Sequence, residues 1–76
     1  MVEFNMMLNS INDVKDFVNT VSKYDFDVDL VSGRYVVDAK SIMGIFSLDL
    51  SKPIKAEIHA DDASKFLAEI DRVIIK

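Results

Sequence analysis

Few side chains in this sequence could do chemistry. Histidine occurs once, as His59, and cysteine is absent. Without cysteine there is no disulfide framework and no thiolate metal site. His59 falls at an outward position of an alternating stretch, where a solvated strand residue is the ordinary reading. A catalytic base would need a partner that the sequence does not supply. Asp25, Asp27 and Asp29 form an acidic ladder at spacing two. Extended chain sends all three to one wet face, whereas a calcium loop turns on a glycine to gather its acids. Two glycines in 76 residues leave no glycine-rich phosphate cradle. Ser10 and Ser41 each precede an apolar stretch as a helix N-cap would, and Asp13 completes a shortened capping box with Ser10. Neither a nucleophile–base pair nor a metal set emerges. The residues describe a module that binds, not an enzyme, with no metal and no cofactor.

The elements that position these side chains follow from hydropathy. Val2, Phe4, Met6 and Leu8 point one way and Glu3, Asn5 and Met7 the other, which predicts a half-buried strand. From Ser10 the period lengthens: Val14, Phe17, Val18 and Val21 make the apolar stripe of a helix fading near Lys23. Phe26, Val28 and Leu30 predict a second strand, and Tyr35, Val37 and Ala39 a third, joined by a turn at Ser32-Gly33. A short helix is expected within Ser41 to Leu48. Pro53 then admits a strand carrying Ile54, Ala56, Ile58 and Ala60. Asp61-Asp62 open a final helix with the stripe Ala63, Phe66, Leu67, Ile70, Val73 and Ile74. The order is β-α-β-β-α-β-α, and the economical packing is a four-stranded sheet with helices on one face. Its expected core is Phe17, Val18, Val28, Leu30, Val37, Ile58, Phe66, Leu67 and Ile70.

Size and charge bound the rest. Seventy-six residues make a single domain, 1–76, with a modest core. Half the residues are hydrophobic and 29% are charged, which suits a folded globule. A net charge of −4 makes nucleic acid and anionic membrane poor partners. No apolar run approaches the roughly 20 residues that cross a bilayer. Glu3 and Asn5 stand where a secretory leader would be basic, so a cytoplasmic monomer is expected.

One stretch is more specific. Ser22-Lys23-Tyr24-Asp25, Asp27-Val28-Asp29-Leu30, Val37 through Gly44 with Lys40-Ser41-Ile42-Met43-Gly44 at its end, and Ser47-Leu48 lie along the chain at spacings that fit one family pattern without a gap. Together they resemble HPr, the small phosphocarrier of the bacterial sugar phosphotransferase system, in its Gram-positive form. The resemblance implies an α+β open-faced two-layer sandwich with an antiparallel sheet of order 1-4-2-3. In that family a histidine at the start of the first helix carries the phosphoryl group, followed by an Arg and a Pro. Counting back from Ser22-Lys23-Tyr24 places Ser10 at the histidine, Asn12 at the Arg and Asp13 at the Pro. The family's second feature is the serine of Lys-Ser-Ile-Met-Gly, phosphorylated by an ATP-dependent kinase/phosphorylase. Ser41 occupies it here, with Lys40, Ile42, Met43 and Phe46 as the implied partner surface. Crh, a regulatory relative, also lacks the histidine and keeps the serine.

The resemblance therefore implies a regulatory module of sugar transport or carbon catabolite control, switched at Ser41. Its implied partners are an HPr kinase/phosphorylase, a catabolite-control regulator or an enzyme of the phosphotransferase system. Two alternatives stand beside it. One is a degenerate domain that binds without being phosphorylated; the other is a phosphocarrier using a substitute residue.

Overall fold

The computed structural model describes residues 1–75. Alternation at Val2, Phe4 and Met6 produces β1 (Val2–Met6), and the stripe of Val14, Phe17 and Val21 produces α1 (Ile11–Val21). A hairpin of β2 (Val28–Ser32) and β3 (Tyr35–Asp38) follows, then α2 (Ile42–Phe46), β4 (Ile54–Ile58) and α3 (Ser64–Glu69). The strands form one antiparallel sheet of order β1-β4-β2-β3. One row across it reads Phe4, Ala56, Leu30, Val37 and another Glu3, Glu57, Asp29, Asp38, so the faces are apolar and polar by strict alternation. This is the open-faced α+β sandwich expected from the sequence.

The helices close over the apolar row. Phe17, Val28, Leu30, Ile58, Phe66 and Ile70 are buried as expected, while Val18, Val37 and Leu67 are half-buried at the rim. Phe66 is the centre of an aromatic group. Its ring meets Phe17 at 6.1 Å, Tyr24 at 5.3 Å and Phe26 at 5.7 Å, all tilted or edge-on, the geometry ring quadrupoles favour. The Tyr24 hydroxyl donates to Glu69 across the same contact. That bond, with desolvation and the Glu69 charge, holds the Tyr24 hydroxyl above its ordinary pKa.

Several boundaries differ from the sequence pattern: β3 ends at Asp38 rather than Ala39, β4 at Ile58 rather than Ala60, and α3 begins at Ser64 rather than at Asp61-Asp62. The first strand ends at Met6, although Leu8 is still buried. Asp25 lies in a bend and Asp27 in irregular chain before β2, where Tyr24 and Phe26 stack at 5.1 Å; only Asp29 of the acidic ladder is in a strand. The hairpin turns on Gly33-Arg34, one residue later than expected, with Ser32 opposite Tyr35. Gly33 has φ +60° and Arg34 does not share it, which is the glycine-first II′ turn that suits strand twist. Gly33→Ala has open space for its methyl but must adopt a backbone costly for an L-residue. Urea denaturation is expected to read a loss of about 1–2 kcal/mol.

The last helix is the largest departure. It stops at Glu69, passes through a 3₁₀ turn at Asp71–Val73, and straightens at Ile74. The residues Val73, Ile74 and Ile75 serve β1 instead. Met7 N–H donates to the Val73 carbonyl, Ile74 bridges Met6, and Ile75 N–H donates to the Asn5 carbonyl, both bonds at 2.9 Å. An edge strand with unpaired groups is a stronger demand than two further turns of an isolated helix.

At the other end of α3, Asp62 accepts both the backbone N–H and the hydroxyl of Ser64, at 2.9 and 2.6 Å. These bonds hold its carboxyl below the ordinary carboxylate range. A lowered native pKa contributes stability above the unfolded value, lost as pH falls through the folded one. The thermal midpoint of Asp62→Ala is therefore expected below wild type at neutral pH, with the gap closing under acid. A gap unchanged by acid excludes the ionised carboxylate as its source.

Candidate functional site

The start of α1 is built from its own sequence. Ser10 is extended, with φ −146° and ψ 166°, and its hydroxyl accepts the Asp13 N–H at 3.1 Å. Asp13 reaches back to the Asn9 N–H at 3.0 Å, one residue further than an ordinary capping box. Its other carboxylate oxygen pairs with Arg72 at 3.0 Å, and Arg72 also holds Asp16 at 3.0 Å. The positive end of the helix is thus occupied by a carboxylate, and the cation beside it already serves two acids. Arg72 was not legible as part of this site. It lies 56 residues from Asp16 and comes near only because the final helix ends early.

The start of α2 is more open. Ser41 is exposed and caps the helix, its hydroxyl accepting the Gly44 N–H at 3.2 Å. Gly44 permits this approach: a Cβ there would stand 3.3 Å from both Ser41 Oγ and Val37 Cβ. Ile45 goes into the core, Ile42 is half-buried, Met43 is 77% exposed and Phe46 41%. Lys40 behaves differently from its neighbours. Its N–H is held by Asp38 and its ammonium donates to the Tyr24 carbonyl, both at 2.8 Å. The ammonium therefore ties two loops together.

The start of α1 adjoins the end of α2. Ser10, Ile11, Phe46 and Leu50 line one open groove, with Ile11 62% exposed. Sequence reasoning missed Ile11 because its place in the first turn looks like a continuation of the helix rather than part of a surface.

Asn12 is exposed at the same end of α1. His59 lies far along the chain, just beyond β4, with Nε2 2.9 Å from the Asp29 carboxylate on the polar face. Among the described residues no group of three or more His, Asp or Glu side chains could hold a metal.

The fold is an open-faced α+β sandwich whose surface features are the exposed capping serines Ser10 and Ser41 and the exposed apolar side chains near them. The family model for the PTS HPr component phosphorylation site matches residues 13–75, and the chain belongs to the HPr family. An HPr-C-His crystal structure from Thermoanaerobacter tengcongensis is 26% identical with a TM-score of 0.78, covering 95% of this chain and 89% of its own. The phosphocarrier HPr of Bacillus anthracis is 22% identical, with a TM-score of 0.73 and coverage of 97% and 96%. Crh of Bacillus subtilis, a catabolite repression protein seen as a domain-swapped dimer, is 22% identical, with a TM-score of 0.65 and coverage of 93% and 88%.

Proposed function

We propose that this chain is an HPr-family protein that acts by binding other proteins, without a phosphohistidine, and that phosphorylation of Ser41 switches it. The exposure of Ser41 beside Met43 and Phe46 is the observation that carries this reading. A phosphoserine there adds about −1.5 to −2 charges at the edge of an apolar surface. A partner reading both would bind the modified form and reject the unmodified one. Because the Lys40 ammonium is engaged by Tyr24, the cation that recognises the phosphate comes from the partner.

The start of α1 supports the loss of histidine chemistry. Ser10, Asn12 and Asp13 stand where the family places His, Arg and Pro. A serine phosphoester is a poor donor compared with a labile P–N bond, and the Asp13 carboxylate repels an incoming anion. Carbon catabolite control in the bacterial cytoplasm is the setting this suggests, with a kinase/phosphorylase of the HPr type and a catabolite-control regulator as partners.

The test is incubation with a Gram-positive HPr kinase and ATP, comparing wild type with Ser41→Ala by intact mass. Phosphate on wild type alone is the expected result. Equal incorporation into both excludes Ser41, and none in either favours a domain that binds without modification.

A further inference from the structure

The two edges of the sheet are treated differently. The outer edge of β1 is covered in part by Val73, Ile74 and Ile75, as described above. β3 ends the sheet on the other side, with no proline and no bulge: its register runs unbroken from Tyr35 opposite Ser32 to Asp38 opposite Asp29. Of the usual protections of an edge, β3 has shortness and the charges Arg34 and Asp38 at its ends, but neither a proline nor a bulge. The hairpin fixes which groups it offers. In a two-residue turn the flanking pair Ser32 and Tyr35 is hydrogen-bonded, and the Ala39 N–H on the Val28 carbonyl at 2.9 Å continues that phase. The backbone groups of Val36 and the N–H of Asp38 therefore point outward. Tyr35 and Val36 are 71% and 61% exposed.

We propose that this edge pairs with β3 of a second copy, antiparallel about Val36, to give one continuous eight-stranded sheet. The side chains select that register. With Val36 opposite the partner's Val36, Arg34 falls opposite the partner's Asp38, and the partner's Arg34 falls opposite Asp38. On the other face Tyr35 meets the partner's Val37. Opposite charges and aromatic–branched pairs are the favourable cross-strand combinations. Moving the register by two sets Arg34 against Val36, and moving it by four sets like charge against like.

The charges involved are available. Arg34 has no partner among the described residues, and Asp38 uses one carboxylate oxygen on the Lys40 N–H and keeps the other. Glu57, Asp29 and Asp38 stand side by side across three strands, so the next position in that row favours a cation. The partner's Arg34 supplies one. The arrangement is isologous and closes on itself, so it stops at two copies. A strand of four residues and a net charge of −4 on each copy make it weak and concentration-dependent. It departs from the monomer expected from the sequence.

Sedimentation equilibrium from about 10 μM to about 1 mM tests it. The mass is expected to rise from 8.6 kDa toward twice that value. Val36→Pro removes the outward N–H and leaves the β2 ladder intact, and Arg34→Glu sets acid against acid. Each is expected to weaken the dimer at least about tenfold. Mixing Arg34→Glu with Asp38→Lys restores both charge pairs and is expected to recover the dimer. A wild-type mass fixed at 8.6 kDa overturns the proposal. So does Val36→Pro associating like wild type, or association abolished by Met43→Lys, which places the contact on the α1–α2 surface.

Discussion

Phe66→Ala is expected to cost about 3–5 kcal/mol in urea denaturation, the range for emptying a buried aromatic site. Phe66 has no solvent exposure, and three aromatic rings rest on it. It is also a residue by which α3 meets the middle of α1, at Phe17, and the loop before β2, at Tyr24 and Phe26. Truncation therefore removes one side of the Tyr24–Phe26 stack as well as its own packing. A chain of this length holds on the order of 4–11 kcal/mol in total, so the loss takes a large share of its stability and the thermal midpoint is expected to fall well below wild type. A loss under about 1 kcal/mol shows instead that α3 is not docked through this ring.

The second large effect concerns phosphoryl transfer at the start of α1. With phosphoenolpyruvate and the first enzyme of the phosphotransferase system, wild type is expected to stay unmodified, and an acid-labile adduct by intact mass disproves this. Ser10→His alone is expected to recover little. Asp13 still sits at the helix end, bonded to the Asn9 N–H and paired with Arg72. A phosphoryl group arriving there meets a carboxylate at the site where backbone donors and the dipole should receive it. Adding Asn12→Arg and Asp13→Pro removes that acid, frees Arg72 from one of its two partners and supplies a cation. The triple variant is expected to label at least about 10²-fold faster than the single one, roughly the effect of one well-placed donor on a developing charge. Equal labelling of the two shows that histidine alone was missing.

Much of this architecture could be read from residue order, and the exceptions have physical causes. The alternation of Val2, Phe4 and Met6 and the stripe of Val14, Phe17 and Val21 each satisfy one period only, so their elements were unambiguous. The stretch Ile70, Val73 and Ile74 satisfies a helical stripe, but the unpaired edge of β1 draws it into extended chain. Nothing local to residues 70–75 records that edge. The capping roles of Ser10 and Ser41 were legible because a cap depends on neighbours within three residues. The clamp of Arg72 on Asp13 and Asp16 and the bond from Lys40 to Tyr24 span 16 to 59 residues, and charge alone does not choose among so many acids and carbonyls.

The strand order also sets a sequence of events. β2 and β3 are joined by two residues, whereas β1 must find β4 across the stretch from Met6 to Ile54. Closing that larger loop costs about 3 kcal/mol more, at about 0.6 kcal/mol for each doubling of length. The hairpin and β4 can thus assemble with α2 before β1 arrives, and the pairing of Met6 with Ile74 must wait for both. Folding of this chain is therefore expected to close from its middle outward, with the strand that contributes the first core residues in sequence locked in place last.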